Sequence, residues 1–483
     1  MTNMKFNDFA LSETILKAVK LMKFEAPTQV QESVMPLVLE GKDVIVRSQT
    51  GSGKTAAFAI PVCELVDWEE NKPQALILTP TRELAIQVKD DVFHLGRFKR
   101  IKVSALYGRS PFRFQEKELK QKTHVVVGTP GRVMDHIERG TLDTSMLKYL
   151  VIDEADEMLK MGFFEQVEAI LNELPSNRVT VVLSATMPDN IKKLCETQLN
   201  DPVLIEIEST DPVIDRILQY RIEVEENQKK GLLKDILITE NPDSLILFCN
   251  TQQKVDDIFR TLMDEDFMVE KLHGGMEQTD RIKVIEKFRK GEFRYLIATD
   301  VAARGIDIDQ IELVINYDVP NKSESYVHRI GRTGRIGNSG KAITFVSPAD
   351  QKLLREVHAY IKSEIPRGDR PSETEILSCQ EAFDEKMLVS PEPKEIKGVE
   401  VNEGILKIHI NAGKKTKMRA VDVVGALCSL EEIDASDIGI INIMDISTYV
   451  EILNNKGTYV LKALQNKPIK GRIRKVSKVI NRD

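Results

Sequence analysis

Short apolar runs alternate with amphipathic stretches along most of the chain. The first series of runs comprises residues 43–47, 75–78, 124–128, 149–152 and 180–183. A second series comprises residues 244–249, 295–298, 313–316 and 342–346. Continuous apolar, β-branched runs between helical patterns indicate parallel sheets that helices cover on both faces. The pattern therefore predicts two α/β domains, with a boundary close to the Asp-Pro pairs at 201–202 and 211–212.

The pattern changes after residue 365. Residues 366–403 contain four prolines, many acidic residues and little periodicity, which predicts a linker with one short helix. Beyond it we expect strands at 405–410, 440–444, 448–453 and 473–479 and helices at 420–430 and 458–464. This βαββαβ order is that of the ferredoxin-like fold. The expected domains are residues 1–205, 218–365 and 404–483, and the linkers between them are 206–217 and 366–403.

Composition narrows the class of protein. No stretch approaches the roughly 18 consecutive apolar residues of a membrane span, and the N-terminal residues do not resemble a secretory signal. The five cysteines are scattered, which disfavours a disulfide framework or a zinc site and fits a reducing, cytoplasmic setting. The net charge is −7, yet residues 404–483 hold 14 basic and 8 acidic residues, a net of +6. That asymmetry predicts polyanion binding by the C-terminal domain.

A phosphate-binding loop follows the first apolar run. Residues 48–55 read Ser-Gln-Thr-Gly-Ser-Gly-Lys-Thr and stand between a predicted strand and a predicted helix. The glycines let backbone N–H groups approach phosphate oxygens, Lys54 supplies a charge for the β- and γ-phosphates, and Thr55 offers a hydroxyl to Mg²⁺. Ser48 departs from the strict pattern, which has glycine there. The alternative, a glycine-rich turn before a helix, explains less of this context.

Two carboxylates follow the strand at 149–152. Asp153 and Glu154 begin the run Asp-Glu-Ala-Asp. In a chain with a phosphate-binding loop, Asp153 is expected to hold Mg²⁺ and Glu154 to orient and deprotonate the attacking water. By themselves, paired carboxylates at the end of a strand are usually a solvated turn.

Several motifs in a fixed order resemble those of the DEAD-box RNA helicases. They are the run at 153–156, Phe-Glu-Ala-Pro-Thr-Gln-Val-Gln at 24–31, Pro-Thr-Arg-Glu-Leu-Ala at 80–85, Thr-Pro-Gly-Arg at 129–132, Ser-Ala-Thr at 184–186, Ala-Thr-Asp-Val-Ala-Ala-Arg-Gly-Ile-Asp at 298–307 and His-Arg-Ile-Gly-Arg-Thr-Gly-Arg at 328–335. The resemblance covers residues 6–365 and implies two tandem RecA-like parallel-sheet domains with a cleft for ATP. The sequence departs from the family at Lys23 and at Arg109, where the family has glycine.

The resemblance implies functional roles for individual residues of this chain. The implied ATP-binding residues are Phe6, Phe24, Thr28, Gln31, Gln49, Thr50, Gly51, Ser52, Gly53, Lys54, Thr55 and Asp307. The expected catalytic residues are Lys54, Asp153, Glu154, Ser184, Thr186, His328, Arg332 and Arg335, with Thr55 and Asp153 as Mg²⁺ ligands. The implied RNA contacts of the core are Arg82, Gly108, Thr129, Gly131, Arg132 and Thr299.

The C-terminal segment resembles the RNA-binding domain of the bacterial DbpA-type branch of that family. The similarity lies in residues 413–419, 437–440, 449–453 and 471–475. It implies an RRM-like domain that recognises a 23S rRNA hairpin near the peptidyl-transferase centre, and a role in large-subunit assembly on pre-50S particles. The candidate RNA-binding residues are Lys407, Lys414, Lys415, Lys417, Arg419, Tyr449, Arg472, Arg474 and Lys475.

The residues of that domain favour recognition of a folded RNA. Tyr449 is the one aromatic residue at a plausible stacking position, whereas basic residues are abundant, which favours phosphate contacts over ring stacking. The alternative to RNA binding is a basic face that only contacts solvent. For the whole chain we expect an ATP-dependent RNA helicase that separates short duplexes locally. A non-unwinding RNA clamp or chaperone and a DNA translocase on the same core are the alternatives.

Overall fold

The computed structural model of the chain describes residues 4–48, 52–207, 217–300, 311–334, 340–393, 398 and 400–479. The chain divides into two compact units. The first unit combines Met1–Ile207 with Lys397–Asp483, and the second is Glu208–Ile396. Among the described residues no helix is both long and apolar enough to cross a bilayer.

A parallel sheet of seven strands forms the centre of the N-terminal part of the first unit. Its strands are β1 (Val44–Arg47), β2 (Ala75–Leu78), β3 (Val103–Leu106), β4 (Val125–Gly128), β5 (Tyr149–Ile152), β6 (Val179–Ser184) and β7 (Val203–Glu206). They run in the order β3-β4-β2-β5-β6-β1-β7. Successive side chains of a strand point to opposite faces, so Ile77 and Val127 pack in one core whereas Leu76 and Val126 pack in the other. Burial on both faces explains why these strands are apolar throughout.

Helices cover both faces of this sheet. They are α1 (Glu13–Leu21), α2 (Gln29–Leu39), α3 (Lys54–Leu65), α4 (Arg82–Leu95), α5 (Phe112–Leu119), α6 (Pro130–Glu138), α7 (Ala155–Lys160), α8 (Phe164–Glu173) and α9 (Asp189–Gln198). Residues 400–402, which lie far along the chain, also belong here, because Val401 is buried in the same core as α1 and α3.

The second unit contains a parallel sheet of six strands. These are β8 (Ile217–Glu223), β9 (Leu245–Cys249), β10 (Val269–Leu272), β11 (Tyr295–Thr299), β12 (Leu313–Asn316) and β13 (Gly340–Val346). Their order is β10-β11-β9-β12-β13-β8. The helices described in this unit are α10 (Lys229–Glu240), α11 (Gln252–Met263), α12 (Gln278–Arg289), α13 (Ser323–Ile330), α14 (Gln351–Ile361) and α15 (Glu373–Met387).

Helix α15 lies in the segment for which the sequence predicts a linker with one short helix. It is 15 residues long and starts with a capping box between Ser372 and Glu375. Phe383 is buried in the core of the second unit, and Lys386 donates to the carbonyl of Asn241 at 2.6 Å. The helix is therefore longer than expected and forms part of the second unit. Its apolar pattern is weak because Phe383 is its one buried side chain.

The C-terminal part of the first unit is a small antiparallel sheet with two helices. Its elements are β14 (Leu406–Ile410), α16 (Ala420–Cys428), β15 (Ile438–Ile443), β16 (Thr448–Ile452), α17 (Gly457–Ala463) and β17 (Val476–Lys478). The strand order β15-β16-β14-β17 is that of a ferredoxin-like sheet. Ile408 and Val450 pack against Val423 and Val460 of the helices. The predicted fold class, two parallel-sheet domains followed by a βαββαβ domain, is thus confirmed, whereas the predicted domain bounds stay predictions.

Candidate active site and nucleic-acid surfaces

Polar residues of the first sheet gather at the carboxyl ends of its strands. Residues 48–55 follow β1, Arg82 lies just beyond β2, Thr129 follows β4, Asp153 follows β5 and Ser184 ends β6. Because the strands are parallel and in register, these ends lie along one edge of the sheet. Open α/β sheets bind ligands at that edge. The topology therefore brings most of the predicted first-domain site together.

The described part of the phosphate-binding loop surrounds Lys54. Its side chain is 8% exposed, and its ammonium donates to the carbonyl of Ser48 at 2.9 Å. Gly53 precedes α3 with a φ of +86°, a backbone conformation that glycine adopts readily. Ser52 and Thr55 are half-buried beside it. Gln49, Thr50 and Gly51 lie outside the described residues.

The segment at 24–31 packs directly on this loop. Gln31 is 2% exposed, accepts from the backbone N–H of Thr28 at 3.0 Å and donates from its amide to the carbonyl of Gly53 at 3.1 Å. The hydroxyl of Thr28 donates to the carbonyl of Ser52 at 2.9 Å. A side chain at position 53 would collide with the Gln31 amide, since an added Cβ would lie 2.7 Å from its nitrogen. Two predicted nucleotide-binding segments therefore form one hydrogen-bonded assembly.

The two predicted aromatic contacts lie beside that assembly. The rings of Phe6 and Phe24 lie 6.2 Å apart. Phe6 is 5% exposed and packs in the first-domain core, whereas Phe24 is half-buried at the edge of the same core.

Asp153 has the environment expected of a metal ligand. Its carboxylate is buried, and among the described residues its Oδ1 has no hydrogen-bond partner. Burial raises the pKa of Asp153, and the Lys54 ammonium counteracts that rise. In the described parts of the chain no three His, Cys, Asp or Glu side chains converge on a metal position. This arrangement fits Mg²⁺, which usually takes one or two carboxylates together with water and nucleotide phosphate oxygens.

Glu154 occupies a different position from its neighbour. Its backbone is left-handed, with a φ of 54°, and it forms the N-cap of α7. Such a conformation is uncommon for a residue other than glycine and costs energy. It turns the chain abruptly at the end of β5, and the side chain is half-buried at the edge where Ser48 and Lys54 also lie.

Ser184 and Thr186 are held in place by a residue that the sequence analysis did not select. Asp156 is 3% exposed and accepts from both the backbone N–H and the hydroxyl of Thr186, at 3.1 and 2.8 Å. The hydroxyl of Ser184 donates to the carbonyl of Thr186 at 2.6 Å. The carbonyl of Ser184 accepts from the N–H of Ser48 at 3.1 Å. Asp156 therefore links the carboxylate segment to the Ser-Ala-Thr segment. The spacing of residues along the sequence gives no indication of this link.

The predicted core RNA contacts form two groups on this edge. The guanidinium of Arg82 approaches Gly108, where an added Cβ would lie 3.3 Å from its Nη2. Arg132 donates to the carbonyl of Ser110 at 3.0 Å and to the side chain of Gln115 at 2.7 Å. Gly131 has open space where a side chain would stand. The remaining residue, Thr129, is buried at the start of α6.

In the second unit, a buried arginine forms hydrogen bonds close to the predicted catalytic residues His328 and Arg332. Arg329 is 1% exposed and donates to the carboxylate of Asp300 at 2.9 Å and to the carbonyl of Asp318 at 2.7 Å. His328 and Arg332 flank it and are half-buried. Thr299 is buried at the end of β11, next to Asp300. The sequence analysis missed Arg329 and Asp300 as positioning residues, and Asp307 and Arg335 lie outside the described residues.

The C-terminal domain carries a fixed basic loop beside Lys470. The loop at 413–417 is fixed by backbone bonds from Lys414 and Lys415 to the carbonyls of Met444 and Asp445, both 2.8 Å. Lys470 donates to the carbonyl of Lys417 and pairs with Asp422 at 3.0 Å. The predicted basic residues of this domain are exposed or half-buried: Lys407, Lys414, Lys415, Lys417, Arg419, Arg472, Arg474 and Lys475. The Lys407 ammonium lies 5.8 Å from the centre of the Tyr449 ring, and the His409 and Tyr449 rings lie 5.2 Å apart.

Three family models match the chain in order. A DEAD/DEAH box helicase model matches residues 28–194, a helicase conserved C-terminal domain model matches 228–337, and a DbpA RNA binding domain model matches 407–478. The chain is also 53% identical over 473 residues to the ATP-dependent RNA helicase DbpA of Bacillus subtilis, covering 98% of this chain and 99% of that protein. The chain belongs to the DEAD-box family of ATP-dependent RNA helicases.

Other DEAD-box proteins match the two α/β domains. The DEAD-box ATP-dependent RNA helicase CshA of Geobacillus kaustophilus is 43% identical over 376 residues, covering 78% of this chain and 80% of that protein. The structure of S. cerevisiae Dbp5 bound to RNA and ADP BeF3 is 31% identical, with a TM-score of 0.69, and the match covers 79% of this chain and 99% of that chain. The RecA-like class predicted for the two domains is confirmed by these matches.

The backbone explains both departures from the DEAD-box pattern. Lys23 and Arg109 each have a φ of 59°, the left-handed conformation that glycine adopts without strain. Both positions therefore keep the backbone turn that glycine would make, and the left-handed backbone of each residue is strained. Lys23 pairs with Glu400 at 3.0 Å, whereas the side chain of Arg109 is exposed.

Proposed function

We propose that this helicase binds ribosomal RNA through residues 404–483 and acts in assembly of the large ribosomal subunit in the cytoplasm. The proposed target is the 23S rRNA hairpin near the peptidyl-transferase centre, carried on pre-50S particles. The observation that supports it is the basic surface around residues 413–417 and 470–475 on a domain that matches the DbpA RNA-binding model. A fixed, exposed basic loop favours recognition of a folded RNA by its phosphates and shape.

In the proposed mechanism, the first unit binds ATP with Mg²⁺. Gln31 would hydrogen-bond the adenine edge, residues 49–55 would bind the phosphates, and Thr55 and Asp153 would hold the metal. When bound, Mg²⁺ would supply positive charge that offsets the charge developing on the phosphates. Glu154 orients the attacking water towards the γ-phosphate and accepts a proton from that water. This assignment is supported by the buried Lys54 and by the Oδ1 of Asp153, which has no partner in the part of the chain that the structure describes.

The second unit is proposed to supply positive charge to the transferring phosphate. Arg332 and Arg335 act there as arginine fingers, His328 links that phosphate to residues 184–186, and Asp307 accepts from the ribose. Arginine fingers contribute roughly 10³–10⁵-fold to the rate of phosphoryl transfer. The buried contacts of Arg329 with Asp300 and Asp318 support a rigid placement of the adjacent His328.

RNA contacts of the core are proposed at residues that follow β2, β3 and β4 and at the last residue of β11. These are Arg82, Gly108, Thr129, Gly131, Arg132 and Thr299. Sequence-independent contacts to the RNA backbone let the core bend one strand and separate a short duplex locally, while the C-terminal domain selects the RNA.

The test is the ATPase rate of the full chain with matched ribosomal RNA fragments. One fragment contains the peptidyl-transferase hairpin, and the other has the same length with that hairpin scrambled. We expect the intact hairpin to lower the RNA concentration for half-maximal ATPase by at least about tenfold, a cautious lower bound beside the roughly 10³–10⁷-fold by which specific exceeds non-specific binding in protein–DNA complexes. A generic single strand serves as a control for basal stimulation. Equal stimulation by the two fragments would contradict the rRNA assignment and leave the helicase assignment intact.

A further inference from the structure

The C-terminal domain contacts the first α/β domain through an ion pair and hydrogen bonds. Residues 96–102, between α4 and β3, supply Arg97, Arg100 and Lys102. Arg97 pairs with Glu451 at 3.5 Å, and the two side chains are only 7% and 10% exposed. Lys102 donates to the carbonyl of Ile441 at 2.7 Å and to the side chain of Asn442. Arg100 donates to the carbonyl of Ala435. We call these residues the docking contact.

The segment just before the C-terminal domain strengthens the docking contact. Val401 is 1% exposed within the core of the first domain, and Glu400 pairs with Lys23 at 3.0 Å. Strand β14 begins only four residues after Asn402. A tether this short gives the domain a high effective concentration at the contact, so that weak interactions suffice to hold it.

The docking contact covers the open face of the small sheet. In the sheet register, Lys407 is opposite Glu451, His409 is opposite Tyr449, and Tyr449 is opposite Asn442. These residues therefore share one face, while Ile408 and Val450 point to the helices on the other. RNA-recognition folds of this type stack bases on that open face. The half that holds Glu451 and Asn442 is occupied by the first domain.

The charges at the docking contact are unbalanced. Among the described residues, Arg97 alone of these three cations forms an ion pair, with Glu451. Lys122, Lys407 and Lys414 are close enough to act on Lys102. Burial lowers the pKa of Lys102 to about 8, and those three lysines act in the same direction. A buried charge with too few opposite charges stores electrostatic free energy. A polyanion that paired with the same cations in water would release it.

We propose that the docking contact is autoinhibitory: in the RNA-free protein it withholds Arg97, Arg100, Lys102 and half of the open sheet face from RNA. RNA and the docking contact then compete for the same surface. Breaking the contact lowers the RNA concentration needed to stimulate ATPase and leaves the maximal rate unchanged. This inference concerns the helicase itself and does not depend on which RNA the chain recognises.

The sharpest test is a charge swap in the full chain. Arg97→Glu and Glu451→Arg each break the pair, and the double variant rebuilds it in reverse. Hydrogen–deuterium exchange without RNA reports whether residues 97–102 and 439–443 become exposed. ATPase titrated with a single-stranded RNA gives the half-maximal RNA concentration. We expect faster exchange and a half-maximal concentration lower by roughly fivefold, the lower range of measured couplings between sites, with both values restored in the double variant.

Arg97→Glu separates autoinhibition from simple charge. It replaces one positive charge by one negative charge, a net change of −2, so electrostatic attraction alone predicts weaker stimulation by RNA. Autoinhibition predicts stronger stimulation, because Arg100, Lys102 and the sheet face become accessible. Lys148→Glu is the matched control, since Lys148 is exposed at the start of β5, outside the docking contact. If a charge reversal unfolds the protein, Glu451→Gln tests the same contact without reversing a charge. Unchanged exchange in the single variants overturns the contact, and faster exchange without a lower half-maximal concentration overturns the inhibition.

Discussion

Asp153 and Glu154 are neighbours in sequence with different surroundings in the structure. Asp153 is buried beside Lys54, and one of its oxygens has no partner within the described ranges, which suits a metal ligand. Glu154 follows in a strained left-handed backbone that turns the chain at the end of the strand. Strain of this kind is retained mainly where a function requires it. The pair therefore divides metal binding and proton transfer between two residues.

Replacing Glu154 tests this division. Glu154→Gln keeps the size of the side chain and removes the base, so we expect ATP binding to persist and the ATPase kcat to fall by about 10²–10⁴-fold. Steady-state ATPase and nucleotide binding measured on the same sample check it. Glu165→Gln is the control, because Glu165 is an exposed residue of α8. A near-normal kcat in Glu154→Gln contradicts the assigned role.

Gln31 is a candidate determinant of base preference. Its amide already bridges Thr28 and Gly53 in this structure, and an amide both donates and accepts. We expect Gln31→Ala to reduce the preference for ATP over GTP, because sites that hydrogen-bond a substrate reject analogues that leave those groups unpaired. Competition between the two nucleotides measures the preference. Gln29→Ala, at an exposed position on the same helix, serves as the control.

Two buried histidines make the first unit sensitive to acid. Burial lowers the pKa of His124 and of His136 from 6.5 to about 4. Between about pH 4 and pH 6.5, both side chains are therefore mostly neutral in the folded state. In the same range the unfolded chain binds protons that the folded chain does not. We expect the stability of this unit to fall as pH drops from about 6.5 to 4. Urea unfolding at pH 7.5 and pH 5 checks this, and the difference should shrink in His136→Gln.

At the scale of elements, the sequence predicted the parts that have strong local patterns. Of the thirteen strands described in the two parallel sheets, nine were predicted, because burial on both faces leaves continuous apolar runs. The other four, β3, β7, β8 and β10, lie at the edges of the sheets, where burial is incomplete and the apolar run is broken. The phosphate-binding loop was predicted from its glycines, Lys54 and Thr55 between a strand and a helix. The length of α15 was missed, since one buried phenylalanine gives almost no periodicity. The docking contact was missed because Arg97 and Lys102 look like any charged loop until Glu451, some 350 residues later, lies beside them.

The attachment of α15 to the second unit depends mainly on Phe383. Its ring lies 5.7 Å from that of Phe267 and contributes to the same core. We expect Phe383→Ala to destabilise the second unit by about 3–5 kcal/mol, the usual cost of removing a buried phenylalanine. Urea unfolding followed by circular dichroism measures it. Leu377→Ala on the same helix should have little effect, because Leu377 is 74% exposed.

At the scale of the whole molecule, charge separates the modules. Residues 404–483 carry +6, whereas the preceding residues carry −13. RNA affinity that depends on phosphate contacts falls with salt, because each contact releases counterions. The C-terminal domain is therefore expected to determine most of the salt dependence of RNA binding.

Removing three lysines of the basic loop tests that expectation. In Lys414→Ala/Lys415→Ala/Lys417→Ala we expect weaker RNA binding and a slope of log affinity against log salt that is smaller by roughly 1–3 units. Nucleotide affinity without RNA should be unchanged. Lys230→Ala/Lys290→Ala/Lys352→Ala removes the same charge from exposed positions of the second unit. An equal loss of slope in both triple variants contradicts the role of the loop.

The two parts of the first unit are separated by the whole second unit. About 190 residues lie between Ile207 and Lys397, so the ribosome completes the first α/β domain well before the domain that covers it. At roughly 5–20 residues per second, that interval is on the order of 10–40 s. During it Arg97, Arg100 and Lys102 are uncovered on a nascent chain surrounded by messenger and ribosomal RNA. Until the last domain has folded, the chain is therefore expected to expose these three cations without the domain that is proposed to select the RNA.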